Sequence, residues 1–226
     1  MITSLKIAAK VGRIDPFRKF QKESKKIEMK EKIDMLMNAA RFGRVNILEE
    51  LRTRWGLKGE DARSNRGVLE HALINNHRDV LHELQTHWGL TGEDARSADN
   101  ATLIYAATNG RVNVLIEFRT HWGLTREDAR TKNNFALRYA AKYGHVNVLV
   151  ELRNPYWGLT PEDARSNNNW ALRAAAEKGH VSVLVELREG WGLTPEDARA
   201  DNNDALRAAT FYNRTKVLEE LQTHWT

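Results

Sequence analysis

One phase of apolar positions recurs along the chain. In ALRYAAKYGHVNVLVELR, residues 136–153, Ala136, Leu137, Ala140 and Ala141 fall at helical spacing. Gly144 stands where a left-handed residue ends a helix, and Val148, Leu149 and Leu152 resume the helical spacing beyond it. The pattern predicts two short antiparallel helices joined by a sharp turn. It returns in ALRAAAEKGHVSVLVELR, residues 171–188. Tryptophans mark the same period, since Trp55, Trp88, Trp122, Trp157, Trp191 and Trp225 lie 33, 34, 35, 34 and 34 residues apart, with only Trp170 outside the series. Self-similarity at this period predicts a stack of helix pairs, each burying its apolar face on its neighbours.

The leucine of the first helix sets the frame. Leu137, Leu172 and Leu206 are plain, Leu103, Leu69 and Leu36 follow from them, and LKIAAKVGRIDPFRKF at Leu5 aligns with LRYAAKYGHVNVLVEL at Leu137 without a gap. Seven units result, and residues 1–226 read as a single array. The second helices are expected to start on caps at Asp15, Asn46, Asp79, Asn113, Asn147 and Ser182, with Pro16 directly behind Asp15. Between units stands WGLTPEDAR, at 157–165 and again at 191–199, with the variants WGLKGEDAR (55–63), WGLTGEDAR (88–96) and WGLTREDAR (122–130). The adjacent acids resemble an acid/base couple. A catalytic couple is normally single, however, whereas a helix start is needed in every unit. Thr160 suits an N-cap, Pro161 the first helical position, and Glu162 and Asp163 the first turn, where carboxylates meet the positive end of the peptide dipoles. The string therefore predicts a short third helix.

Composition narrows the function classes. The chain is 41% apolar and 29% charged, which suits a folded globular protein rather than a disordered one. It has no cysteine, which excludes disulfides, removes the commonest zinc ligand and fits a reducing compartment. MITSLKIAAKVGRIDPF lacks the apolar core of a signal peptide, and no apolar run is long enough to span a bilayer, so neither secretion nor membrane insertion is expected. The net charge of +5 is uneven, because residues 1–33 hold ten Lys/Arg against four Asp/Glu, which leaves the remainder at −1. A nucleic-acid-binding solenoid would carry its basic stripe along the whole stack. Here the basic surplus sits at one end, where QKESKKIEMKEK (21–32) reads as a partly helical polar covering.

ALRAAAEKGHVSVLVEL at 171–187 resembles the ankyrin repeat, whose pattern runs T-P-L-H-x-A-A, two variable positions, G-H and a V-V-x-x-L-type helix. The resemblance extends from Leu5 to Trp225, and strings such as ADNNDALRAA (200–209) are similar to the divergent ankyrin arrays of large DNA viruses of amoebae. Ala-Leu-Arg replaces Thr-Pro-Leu-His, and WGLTxEDAR replaces the Gly-Ala-Asp finger. The resemblance implies an all-α, ankyrin-like α-solenoid of seven helix-pair repeats, with a short helical turn in place of the usual β-hairpin finger. It also implies a non-enzymatic scaffold, monomeric and without cofactor, that binds a protein partner through its concave groove. Such a scaffold would be intracellular, in the host cytoplasm or nucleus, or virion-associated if viral. Two other readings stay open: a structural component of a larger assembly such as a virion, and a nucleic-acid-binding helical repeat.

The candidate binding residues are those that break the repeat. In the ankyrin family the two positions before the turn glycine line the groove. Here they vary without shared chemistry, and Arg41, Phe42, Tyr143, Phe211 and Tyr212 are the members suited to grip a partner, joined by Phe135 and Trp170 from the slot before Ala-Leu. Residues that keep the repeat read as structural. The six periodic tryptophans fit an inter-repeat core. His77, His145 and His180 follow the turn, and His87, His121 and His224 precede tryptophans, so one imidazole per layer makes no metal site. Arg63, Arg96, Arg130, Arg165 and Arg199 each have acids two or three residues away and read as a neutralised surface row. No Gly-rich phosphate loop or nucleophile motif is present, so no catalytic residue is assigned.

Overall fold

The computed structural model describes residues 1–225, residue 98 by its backbone alone. All regular structure among the described residues is helical, as the apolar spacing predicts. The chain gathers into two compact units, Met1–Ser97 and Ala98–Thr226. In the N-terminal unit, helices Ile2–Val11, Met29–Arg41 and Gly67–Ile74 pack one on the next, and each turns back on a second helix, Asp15–Lys19, Val45–Thr53 or Arg78–Thr86. In the C-terminal unit, Arg126–Lys142, Ser166–Lys178 and Pro195–Phe211 form a similar row, backed by Val146–Leu152, Val181–Val185 and Thr215–His224. Short helices Gly59–Arg63, Gly92–Ala95 and Pro161–Ala164 fall on the WGLTxEDAR string, confirming the third helical turn.

The apolar stripes explain this packing. Ala136, Leu137, Ala140 and Ala141 have no exposed surface, nor do Val148, Leu149 and Leu152 on the helix behind them. Alanine at alternate contacts lets neighbouring helices approach closely, and leucine fills the space between. Gly144 ends the first helix with φ of +80°. A side chain is excluded there for a second reason: a Cβ would lie 2.9 Å from the ring of His180, which arrives from the following segment. The six periodic tryptophans are all core residues, none more than 5% exposed. Trp157 is fully buried, and its indole N–H donates to Glu151 Oε1 at 3.0 Å.

Two local expectations change. The second helices begin at Val45, Arg78, Val112, Val146 and Val181, so the residues expected to cap them lie inside the first turn, and the cap position belongs to Arg44, His77, Arg111, His145 and His180. Asp15 likewise opens its helix, after Ile14. None of these cap residues bonds its own helix through its side chain. Arg44, His77 and His145 reach instead to a carbonyl of the preceding segment, a partner that local sequence does not display. The charged connection after Phe20 is more than a polar covering, because its 3-10 turn Gln21–Lys26 buries Ser24, Ile27 follows at 4% exposure, and Phe17 meets Trp55 edge to face at 5.4 Å.

A left-handed turn is a feature that the spacing does not predict. Lys132–Asn134, Asn167–Asn169 and Asp201–Asn203 each place three consecutive residues at φ of 54–58°. An ordinary L-residue loses about 1–2 kcal/mol in this conformation, and Asn and Asp tolerate it best. The asparagine runs in TKNNF, SNNNW and ADNND serve that geometry. They form a non-helical kink inside the ranges Arg126–Lys142, Ser166–Lys178 and Pro195–Phe211, ahead of the long helix, and bury Asn134 and Asn169, each 7% exposed.

These placements set an order of stabilities. Trp122→Ala, 3% exposed in the native state, is expected to cost about 3–5 kcal/mol as a core truncation, and Thr160→Ala about 0.5–2 kcal/mol as a lost cap. Urea melts of both variants check the order; equal losses would mean that the tryptophan is not a packing residue.

Candidate functional site

Most recurring polar side chains are occupied in holding consecutive segments together. The arginine row provides the first set of contacts. Arg63 Nε donates to Asp94 at 3.0 Å, Arg130 donates Nε and Nη2 to the two oxygens of Asp163 at 2.8 Å each, and Arg165 Nε donates to Asp197 at 2.9 Å. The local pairs expected for this row also exist, as in Arg165 with Glu162 and Arg199 with Glu196. The shorter contacts nevertheless run forward to the next segment, so a merely neutralised surface row is corrected to a clamp. Asp163 closes a capping box with Thr160, accepting the Thr160 amide at 2.8 Å and hydroxyl at 3.2 Å. Asp197 does the same with Thr194 at 2.8 and 3.3 Å. Burial alone would raise both carboxyls. The arginine, the threonine amide and the amide of Asn134 or Asn169 outweigh it and hold both below the ordinary 3.8.

A second row lies behind the tryptophans and was missed in the sequence. Glu83, Glu151 and Glu220 are buried on the second helices; Glu83 and Glu151 accept from Arg52 at 3.1 Å and Arg119 at 2.8 Å of the preceding segment, and Glu220 forms an ion pair with Arg188 at 3.1 Å. Glutamate recurring in the phase of the core leucines was the available signal. A third row uses the residue after the turn. Arg44 donates to the Lys10 carbonyl at 2.9 Å and Arg214 to the Glu177 carbonyl at 2.8 Å, while the Nε2 atoms of His77 and His145 stand 2.9 Å from the carbonyls of Arg41 and Thr108. His87 and His121 pair instead with Glu83 and Glu117 of their own helices. Among the described residues no group of three or more His, Asp or Glu is placed to hold a metal ion.

Several members of the variable set are exposed, as are Tyr105 and Tyr156 outside it. Phe42, Tyr143, Phe211 and Tyr212 are 39%, 46%, 81% and 46% exposed at the ends of their helices. In the N-terminal unit Arg41 lies over the Phe42 ring, 5.6 Å from its centroid. In the C-terminal unit Phe211 and Tyr212 meet edge to face at 4.9 Å. Phe135 and Trp170 are half-buried and share a stack with Tyr139, at ring separations of 3.8 and 5.3 Å, and Tyr143 adjoins Tyr139 at 6.1 Å. The structure thus brings together Phe135, Tyr143 and Trp170.

Two cations lie across this stack. Arg138 sits 5.7 Å from the Phe135 ring and 5.3 Å from that of Trp170. Lys142 Nζ sits 5.1, 5.4 and 5.9 Å from the rings of Tyr139, Tyr143 and Trp170. Burial pushes the Arg138 guanidinium below its ordinary range, and an arginine remains a cation there. A hollow of about 120 Å³ opens beside the stack, lined by Lys142, Trp170, Arg173, Ala174, Glu177, Asp204 and Ala208. Tyr139, Arg138 and Arg173 were not singled out in the sequence. The spacing of Phe135, Tyr139 and Tyr143, one helical turn apart, was the signal that could have exposed the aromatic face.

No protein-family model and no curated protein matches the chain. Among the described residues no helix is long and apolar enough to cross a membrane.

The clamps make stability depend on pH in a defined direction. Asp163 and Asp197 are depressed below 3.8, so their contribution is complete above that value and is lost as pH falls through the folded-state values. His180 is depressed below 6.5, chiefly by burial, and His71 by burial and the Arg41 charge. The fold favours their neutral forms, and that contribution is lost as pH falls below the unfolded-state value. Thermal melts are expected to show one decline below about pH 6.5 and a steeper one below about pH 4. Asp163→Asn is expected to lower the melting temperature at neutral pH and to shrink the second decline. An unchanged acid limb in that variant would remove the carboxylate from the account.

Proposed function

We propose that the chain is an ankyrin-like α-solenoid of seven helix-pair repeats, with the WGLTxEDAR helix in place of a β-hairpin finger. It acts as a non-enzymatic, monomeric scaffold that holds a protein partner in the concave groove of that stack. The observation that carries this reading is a division of labour. Recurring polar residues are engaged in contacts between segments, whereas large aromatic side chains that follow no repeat are left exposed at the helix ends. Exposed Phe and Tyr side chains contribute little to folding and are the material of binding hot spots. The acids of WGLTxEDAR, the most conspicuous candidates for chemistry, are tied to threonine caps and arginines, which supports a non-enzymatic role.

The combined change Phe42→Ala, Tyr143→Ala and Tyr212→Ala tests this. Proteins captured from the source cells by the wild-type chain and by the triple variant are compared by mass spectrometry, with circular dichroism as the folding control. The reading predicts specific partners that disappear with the triple variant at nearly unchanged melting temperature. The same partners retained by both chains would overturn it.

A further inference from the structure

Arg138, Arg173 and Arg207 hold one phase of successive long helices. Arg173 gives Nε to the Asn168 carbonyl at 3.0 Å and directs Nη1 to Asp204 at 2.7 Å and Asp201 at 3.4 Å. Arg207 reaches the same Asp204 at 2.7 Å. Arg138 is anchored in the same manner, with Nε on the Asn133 carbonyl at 2.9 Å and Nη2 on the Lys132 carbonyl at 3.1 Å. Asn167 and Trp170, however, take the places that Asp201 and Asp204 occupy one segment later. Among the described residues, Arg138 is therefore the member of this row without a carboxylate. Its Nη1, the atom that Arg173 uses for both acids, is left for another acceptor. Among the described residues Lys142, one turn further along, lies over aromatic rings and has no ion pair.

We propose that this shelf receives an acidic segment of the protein partner. Arg138 Nη1 and Lys142 bind a carboxylate, and a neighbouring apolar side chain of the same segment lodges beside Trp170, over Ala174 and Ala208. The inference rests on the groove reading above and names the chemistry of its ligand. The precedent lies within the molecule, since the equivalent arginine, Arg173, already holds an aspartate through the same atom. Trp170, Ala174 and Ala208 supply the apolar part of a hollow whose other walls are charged, with Glu177 and Asp204 on the side of Arg173, and the half-buried rings lower the local dielectric around the cations, which strengthens a charge-assisted bond.

A nucleic acid fits less well. The rings of Phe135, Tyr139 and Trp170 are already stacked on one another or covered by cations, so their faces are not free to receive bases. Residues 98–226 carry sixteen Lys/Arg and sixteen Asp/Glu, which provides no general field for a polyanion.

The probe is an array of short random-sequence peptides presented to the full-length chain, with the best binders measured in solution by fluorescence anisotropy. The selected peptides are expected to be rich in Asp or Glu beside an aromatic or aliphatic residue. Lys142→Gln is expected to weaken them about tenfold or more at unchanged melting temperature, and Arg138→Gln to do so with a lowered melting temperature, because Arg138 also holds the Asn133 and Lys132 carbonyls; conversion of the peptide acids to amides is expected to weaken binding to the wild-type chain by a similar factor. Selected peptides without acidic enrichment, or with equal affinity for both variants, would overturn the proposal. If such peptides still lose binding to the triple aromatic variant, the groove reading stands and only the acidic ligand falls. If they bind that variant as well, both fall. A single-stranded oligouridylate that binds as tightly as the best peptide at physiological salt would also overturn it.

Discussion

The structure depends first on carboxylates buried at the joints between consecutive segments. Asp163 receives both arms of Arg130 from the segment before it, and it also receives the amide and hydroxyl of Thr160, which start its own helix. One side chain thereby fixes a helix terminus and its distance from the neighbour. An ionised carboxylate at 6% exposure would be costly without partners, and these contacts supply them. The short helix is consequently committed to architecture. An acid pair that reads as chemistry in isolation becomes a bolt once its partner from the neighbouring segment is seen.

The same constraint explains which features were legible in the sequence. Helix type, the sharp turn at Gly144, the short helix on WGLTxEDAR and the burial of the tryptophans all follow from spacing within one segment. Arg130 with Asp163 and Arg119 with Glu151 pair residues 33 and 32 apart, and nothing local announces them. The cap positions were misplaced for that reason, since His145 gives its ring to the Thr108 carbonyl rather than to its own helix. The left-handed turns were hidden differently. Apolar spacing is silent on the asparagine runs, and three successive residues at positive φ become intelligible only when the third, as in Asn169, is seen buried near Asp197.

The candidate site was half legible. Phe135, Tyr143 and Trp170 stand out because they break the repeat, yet the residue that joins them, Tyr139, occupies a position where the neighbouring segments carry Tyr105 and Ala174. Arg138 was concealed by the opposite effect. It keeps the repeat, as do Arg173 and Arg207, and its lack of an acid emerges only by comparing what each arginine touches. Deviation in residue type and deviation in partner are separate signals, and the second requires coordinates. The long helices therefore divide their faces, with alanine and leucine turned to the neighbouring helix and the aromatic–cation shelf, the proposed binding surface, on another side.

The central claim is that Asp163 and Arg130 act as a clamp between segments. A double-mutant cycle with Arg130→Ala and Asp163→Asn, followed by chemical unfolding, measures their coupling directly. A clamp predicts a coupling energy within about 0.5–3 kcal/mol, nearer the lower end because Arg130 is partly solvated, together with loss of most of it when the solution is acidified below the carboxyl's titration. Additive effects of the two substitutions, with no coupling at neutral pH, would contradict the account and return the acid pair to the list of candidate functional groups.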